Sequence, residues 1–329
     1  MIILGGVTRL TGSGLSMVQW EPIMGILPPL NLAEWEEAFL LYQQFPEYKL
    51  KNFTMSLAEF KSIFWFEYAH RVLGRSIGII FLIPFLFFLV KGKLDRTLTP
   101  KLIMMFVLGG LQGLMGWYMV KSGLVNDPHV SQYRLTAHLA LAIIIYAYIF
   151  WVALDLLVPR VADKLNNNNR NLGRLSIIIT VIIFITVLSG GFVAGTRAGF
   201  AFNTFPLMDG RLVPAGLFEL SPLWRNFFEN IVTVQFDHRV LATLLFLMIP
   251  AFWWKAQKSI TEPSTRTGLH LLLAALALQL TLGITTLLLV VPVSLAAAHQ
   301  AGAVLLLTAS LYVSHQLRGH TAADHHAPA

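Results

Sequence analysis

Seven stretches of the chain are apolar on every helical face: residues 63–90, 102–120, 135–158, 175–194, 233–254, 268–291 and 296–313. A helix at a water interface alternates apolar and polar positions with a 3.6-residue period, whereas one that is apolar all round has lipid as its solvent. About 20 such residues cross the hydrocarbon core of a bilayer, so each run predicts a transmembrane helix. Pro84 and Pro250 fall inside two of the runs, which membrane helices tolerate. Residues 1–7 read as the end of a further span, too short to cross alone. They have neither the basic stretch nor the small-residue cleavage site of a signal peptide. The pattern predicts an all-α integral membrane protein of eight transmembrane helices, the first of them N-terminally truncated.

Composition supports that solvent. Of 329 residues 56% are hydrophobic and 12% charged, with a mean hydropathy of +0.65; soluble domains carry about 25% charged residues. The net charge of +7 does not point to nucleic acid, because the basic residues are scattered through short loops rather than gathered on one face. Such loops report orientation. One set of loops and the tail carries twelve Lys and Arg (Lys91, Lys93, Arg96, Lys101, Arg160, Lys164, Arg170, Arg174, Lys255, Lys258, Arg266, Arg318). The opposite, longer set carries eight, with most of the acids, including Glu34, Glu36, Glu37 and Glu47. The first set, and with it both termini, is expected on the cytoplasmic or matrix side. Asn166–Asn169 reads as a polar turn in an inside loop, and the chain after Tyr312 as a disordered tail. There is no cysteine, which excludes disulfides, thiolate metal sites and iron–sulfur clusters.

The chain repeats itself. Phe66-Glu67-Tyr68-Ala69-His70-Arg71-Val72-Leu73 matches Val234-Gln235-Phe236-Asp237-His238-Arg239-Val240-Leu241. Leu111-Gln112 with Gly116 matches Leu278-Gln279 with Gly283, and Leu135-Thr136-Ala137-His138 matches Ala296-Ala297-Ala298-His299. Gly5-Gly6-Val7 matches Gly190-Gly191-Phe192, each with a Thr-Arg pair after it. Successive offsets are 168, 167 and 161, and 185 for the first glycine pair, whose following loop is longer. Four helices per half make the repeat parallel, about an axis along the membrane normal. Two four-helix bundles are expected, residues 1–165 and 166–329.

Ionisable groups inside a membrane are costly and point to function. His70, His138, His238 and His299 all fall within about two turns of the outer ends of their helices, one from each of two helices per half. Two facing imidazoles in a four-helix bundle can grip a haem iron from both sides. A hydrogen bond across helices would account for one such histidine alone, but less well for four at matched depth. Zinc requires three or four converging ligands, and each half offers two histidines and at most one acid. His129, His270, His315, His320, His325 and His326 have no counterpart in the other half and read as loop, helix-end and tail residues.

The halves differ at one point of chemistry. Glu67 precedes His70 by three residues and shares its helix face; Gln235 stands in its place in the second half and carries neither proton nor charge. Glu67 is thus a candidate general acid/base or proton relay, or an orienting partner for His70 or an arginine. Arg71, Arg75 and Arg239 are candidates for haem propionates, since Arg is the bidentate partner of carboxylates in dry sites; ion pairs with Glu67 or Asp237 would equally account for Arg71 and Arg239.

The segments Gly5-Gly6-Val7-Thr8-Arg9-Leu10-Thr11, Ser13-Gly14-Leu15-Ser16, Trp20-Glu21-Pro22-Ile23, Leu27-Pro28-Pro29-Leu30 and Phe66–Arg75 closely resemble the haem A synthase family, its mitochondrial and alphaproteobacterial branch most of all. The likeness runs over the whole chain. It implies oxidation of a methyl group of haem O to a formyl group by successive hydroxylations, giving haem A for terminal oxidases. It implies haem b held by His238 and His299, a haem O pocket lined by His70 and His138, and a Glu67 needed for activity. It further implies a bacterial plasma or mitochondrial inner membrane location, with the haem O-making farnesyltransferase and oxidase assembly factors as partners. One branch of the family carries cysteine pairs in outer loops; this chain cannot use a thiol-dependent step. The rival readings are a dihaem b-type electron carrier, disfavoured because all four histidines sit near one face, and a haem-handling protein without catalysis.

Overall fold

A computed structural model describes residues 1–18, 27–123, 130–158 and 167–318, the side chains of 122–123 and 167–169 excepted. The Trp20-Glu21-Pro22-Ile23 segment, Asn166, His129, His320, His325 and His326 lie outside the described residues. Among those described the chain is helical: α1 (Ile2–Leu10), α2 (Leu32–Gln43), α3 (Pro46–Leu50), α4 (Leu57–Val90), α5 (Thr99–Gly123), α6 (Gln132–Leu157), α7 (Asn167–Thr196), α8 (Asn226–Glu229), α9 (Ile231–Gln257), α10 (Pro263–Leu288) and α11 (Val293–Gln316). Seven of them, α4 to α7 and α9 to α11, are long and apolar enough to cross a membrane. The shortest, α11, has 24 residues, or about 36 Å at 1.5 Å per residue. Their outward positions are apolar, as at Ile80, Val90, Leu157 and Leu247, which suits lipid and would not suit water. This is a multi-pass membrane protein.

The chain forms two compact units, one of Met1–Ile145 with Ala194–Thr196, the other of Tyr146–Val193 with Arg197–Ala329. In the first, α1 and α5 flank α4, and α2 and α3 cover its N-terminal turns. That cover explains why α4 starts at residue 57, six residues before its apolar run. Trp35 and Tyr42 pack on Phe60 and Phe64, with Trp35 edge-on to Phe64 at 4.9 Å. Ser56 closes the helix start with a capping box, accepting from the Glu59 amide while its own amide donates to Glu59, so two otherwise unpaired donors are satisfied. In the second unit α10 packs against α9 and α11.

Three boundaries depart from the apolar pattern. Helix α7 begins at Asn167, so Asn167–Asn169 are its first turn rather than a loop. Helix α10 stops at Leu288 instead of 291. Val290 and Val291 take φ of 59° and 58°, left-handed values that β-branched residues adopt only under tertiary constraint. Pro292 disfavours helix at the residue before it, and Asn203 Nδ2 donates 2.8 Å to the Leu287 carbonyl, satisfying a helix end. Helix α11 continues to Gln316, so His315 is a buried helix residue and not part of a tail. Its Nε2 lies 3.1 Å from Asp155 Oδ1, Arg318 bonds the same oxygen, and Trp151 packs edge-on against its ring. The polar partner is what allows the helix to outrun its apolar stretch.

One acid in the outer cover is unusual. Glu47 in α3 is buried, with Tyr42 Oη donating at 3.4 Å. Burial, only partly offset by Lys51, pushes its carboxyl up to about 7. The fold therefore favours protonated Glu47. The stabilisation is complete below the ordinary carboxylate range and is lost as pH rises through about 7; it is on the order of 3 kcal/mol at most. Thermal melting in detergent should accordingly shift to higher temperature between pH 8 and pH 5.5, and Glu47→Gln should flatten that dependence. An equally steep dependence in the variant would assign it to another group.

Candidate functional site

Each of the four membrane histidines packs its ring on a glycine of an earlier helix in its own unit. His70 on α4 meets Gly5 on α1, and His138 on α6 meets Gly116 on α5. His238 on α9 meets Gly190 on α7, and His299 on α11 meets Gly283 on α10. A Cβ at these glycines would stand 3.1, 3.2, 3.3 and 2.8 Å from the nearest ring atom. These are the glycines of the sequence repeat. Their matching positions thus have a physical reason, because only a residue without a side chain lets a helix backbone approach an imidazole face so closely. Gly283→Ala should lower the melting temperature, by the equivalent of roughly 1–3 kcal/mol for an overpacked contact. Gly109→Ala, where a Cβ meets nothing within 4 Å, should be neutral or stabilising, as alanine is the better helix former. Equal effects would remove the steric account.

The histidines are set 6 or 7 residues into their helices, at His138, His238 and His299. His70 is 13 residues into α4, because that helix is extended by its outer cover. Within each unit the two histidines lie within electrostatic range of each other. His138 and His299 each bury an Nδ1 with no hydrogen-bond partner among the described residues. Gln112 Nε2 lies 3.3 Å from His138 Nε2 and donates to the His138 carbonyl at 3.2 Å. Ser189 Oγ lies 2.7 Å from His238 Nδ1. No group of three or more His, Cys, Asp or Glu that could hold a metal ion occurs among the described residues. One histidine of each pair has a buried Nδ1 with no partner, and no third ligand stands beside either pair among the described residues; two imidazoles would suit a haem iron and fall short of the three or four ligands of a zinc ion.

Glu67 is 2% exposed and accepts three hydrogen bonds. Ser16 Oγ donates to its Oε2 at 2.7 Å, the Met17 amide to the same oxygen at 2.8 Å, and Arg71 to Oε1 at 2.6 Å. Arg71 also donates to the Met17 carbonyl at 2.8 Å. Acid and arginine together hold the Ser13–Met17 stretch against α4, one turn from His70. The second unit builds the same clamp without the charge. Gln235 donates to the Phe202 carbonyl at 3.0 Å, and Arg239 to the Phe202 and Thr204 carbonyls at 2.9 Å each. Of the two accounts of Arg71 open at the sequence level, the ion pair with Glu67 is present; Arg239 finds backbone carbonyls. Arg75 is half-buried on the same helix. Sequence reading missed Ser16, Gln112 and Ser189. Gln112 was visible as a repeated position and Ser16 as part of a family-like segment, but neither contact could be read from the chain, and Ser189 left no signal, because the partners of Ser16 and Ser189 are 51 and 49 residues away.

Helices long and apolar enough to cross a membrane, and two pairs of histidine rings each backed by a glycine, define a polytopic membrane protein. Residues 1–311 match the family model described as cytochrome oxidase assembly protein, COX15-CtaA. The chain belongs to that family. It is 59% identical over 318 residues to the haem A synthase of Nitrosospira multiformis, covering 97% of this chain and 89% of that one. It is 55% identical over 320 residues to that of Nitrosomonas eutropha, covering 96% and 89%. Against the haem A synthase COX15 of Arabidopsis thaliana it is 47% identical over 327 residues, covering 97% of this chain and 71% of the plant protein.

Proposed function

We propose that this protein is a haem A synthase, an oxidoreductase that converts a methyl group of haem O to the formyl group of haem A. The observation that carries the reading is the pair of imidazole pairs, alike in their glycine backing and unlike in the acid beside one of them. Relatives named haem A synthase, at 47–59% identity over nearly the whole chain, support it.

In this reading the 1–165 half holds the substrate and the 166–329 half a resident haem b. His238 and His299 would hold haem b, which when bound would supply a one-electron redox centre. His70 and His138 line the haem O pocket. Glu67 acts there on protons, held in place by Ser16, the Met17 amide and Arg71. Arg71, Arg75 and Arg239, which follow His70 and His238 on their helices, would be the cations available to propionates. Arg71, held by a carbonyl and a carboxylate, and Arg239, held by two carbonyls, would meet a propionate with little further ordering.

The finer architecture is eight spans in two parallel four-helix bundles, supported by the glycine contacts: α1 serves α4 as α7 serves α9. The basic loops favour both termini on the cytoplasmic or matrix side of a bacterial plasma or mitochondrial inner membrane. Haem O synthase and oxidase assembly factors are the partners this chemistry calls for, and self-association is compatible with it.

The test is extraction and mass spectrometry of haems from cells making the protein together with a haem O supply. Haem A or hydroxylated haem O that depends on the protein supports the reading. Recovery of haem b and unaltered haem O alone from well-folded protein would turn it toward an electron carrier or a haem-handling role.

A further inference from the structure

We infer that Ser189 is a positioning residue that makes the second-half histidine pair a permanent haem site, and that Leu4 in the matching position leaves the first-half pair exchangeable. The inference rests on the assignment of haem b to His238 and His299.

Ser189 Oγ donates 2.8 Å to the Thr186 carbonyl within its own helix. With its proton so placed, the oxygen facing His238 Nδ1 at 2.7 Å presents a lone pair, and the bond is an Nδ1–H donated to serine. That tautomer leaves Nε2 unprotonated, the form in which imidazole binds iron. Gly190, the next residue, sits against Cε1 and Nδ1 of the same ring, so the ring edge is held by steric contact and its tautomer by the hydrogen bond. The Thr186 carbonyl is also close to the imidazole, but serine already occupies it as a donor.

A donated Nδ1–H raises the basicity of the opposite nitrogen, strengthens its bond to iron and favours the ferric state. The repeat places Gly5 where Gly190 stands, and therefore Leu4 where Ser189 stands. His70 turns its opposite edge, Nε2 and Cδ2, to Gly5, and a leucine there offers no acceptor that would hold Nδ1 on that side. A pocket that must take in one haem and release another needs a ligand that lets go. A resident redox centre needs the reverse.

The experiment compares purified wild type, Ser189→Ala, Ser189→Thr and Leu4→Ser, each measured for haem per chain, haem b midpoint potential and rate of haem loss to an apo-globin trap. Ser189→Ala is expected to lose haem b about 10-fold faster, the usual scale for removal of such a partner, with a midpoint potential above wild type. Ser189→Thr, which keeps the hydroxyl, is expected to restore both. Leu4→Ser is expected to raise the haem retained per chain and slow its release. Wild-type rates and potential in Ser189→Ala would overturn the inference, since the Thr186 carbonyl would then suffice. So would a potential moved equally by Ser189→Ala and Ser189→Thr, which would mark packing rather than the hydrogen bond. If wild type itself holds no haem b, or if His238→Ala holds as much as wild type, the assignment of the resident site fails instead.

Discussion

Glu67→Gln is expected to stop haem O oxidation while leaving haem b in place. Removing a positioned acid/base costs on the order of 100-fold or more in rate. The fold should survive, because the second unit shows glutamine in the same role: Gln235 bonds the Phe202 carbonyl from the position that Glu67 occupies in the first. Glutamine at 67 keeps one oxygen to accept from Ser16 and the Met17 amide, while Arg71 keeps the Met17 carbonyl. Glu67→Ala is a different experiment. Beyond the charge that both variants remove, it deprives Ser16, the Met17 amide and the Arg71 side chain, 9% exposed, of any acceptor at this position, and breaking a buried pair in this way costs roughly 3–5 kcal/mol. That variant should lose folded protein as well as activity. Product analysis alongside the melting temperature separates the two cases. Full conversion of haem O by a folded Glu67→Gln protein would show that Glu67 only holds the Ser13–Met17 stretch.

The second large effect divides the histidines. His238→Ala is expected to abolish resident haem b, and His70→Ala to retain it while losing conversion of haem O. Both rings rest on a glycine, but His70 turns Nε2 to it and His238 turns Cε1, and of the two only His238 has a hydroxyl on its Nδ1 among the described residues. Haem content by pyridine haemochrome, with the extracted haems separated by chromatography, reads both outcomes. Loss of haem b from His70→Ala at an unchanged melting temperature would reverse the assignment of the two pockets.

The all-helical class and the seven apolar helices were legible in the chain itself, because a bilayer demands the same apolar length from every span, whatever its neighbours. The repeat was legible for a related reason. An imidazole pressed on a helix needs glycine beneath it, so Gly5, Gly116, Gly190 and Gly283 repeat along with the histidines. Helix ends were less so, since packing and capping decide them: the Trp35–Phe60 cover lengthens α4, Asn203 ends α10, and Asp155 carries α11 past its apolar run to His315. The split between Glu67 and Gln235 was plain from sequence, but its physical setting was not. That Glu67 is tied to Ser16, Met17 and Arg71, and that Ser189 reaches His238, depends on which loop or helix folds against which ring. Such contacts join residues about 50 positions apart, leave no periodic trace, and exist only once the helices have packed.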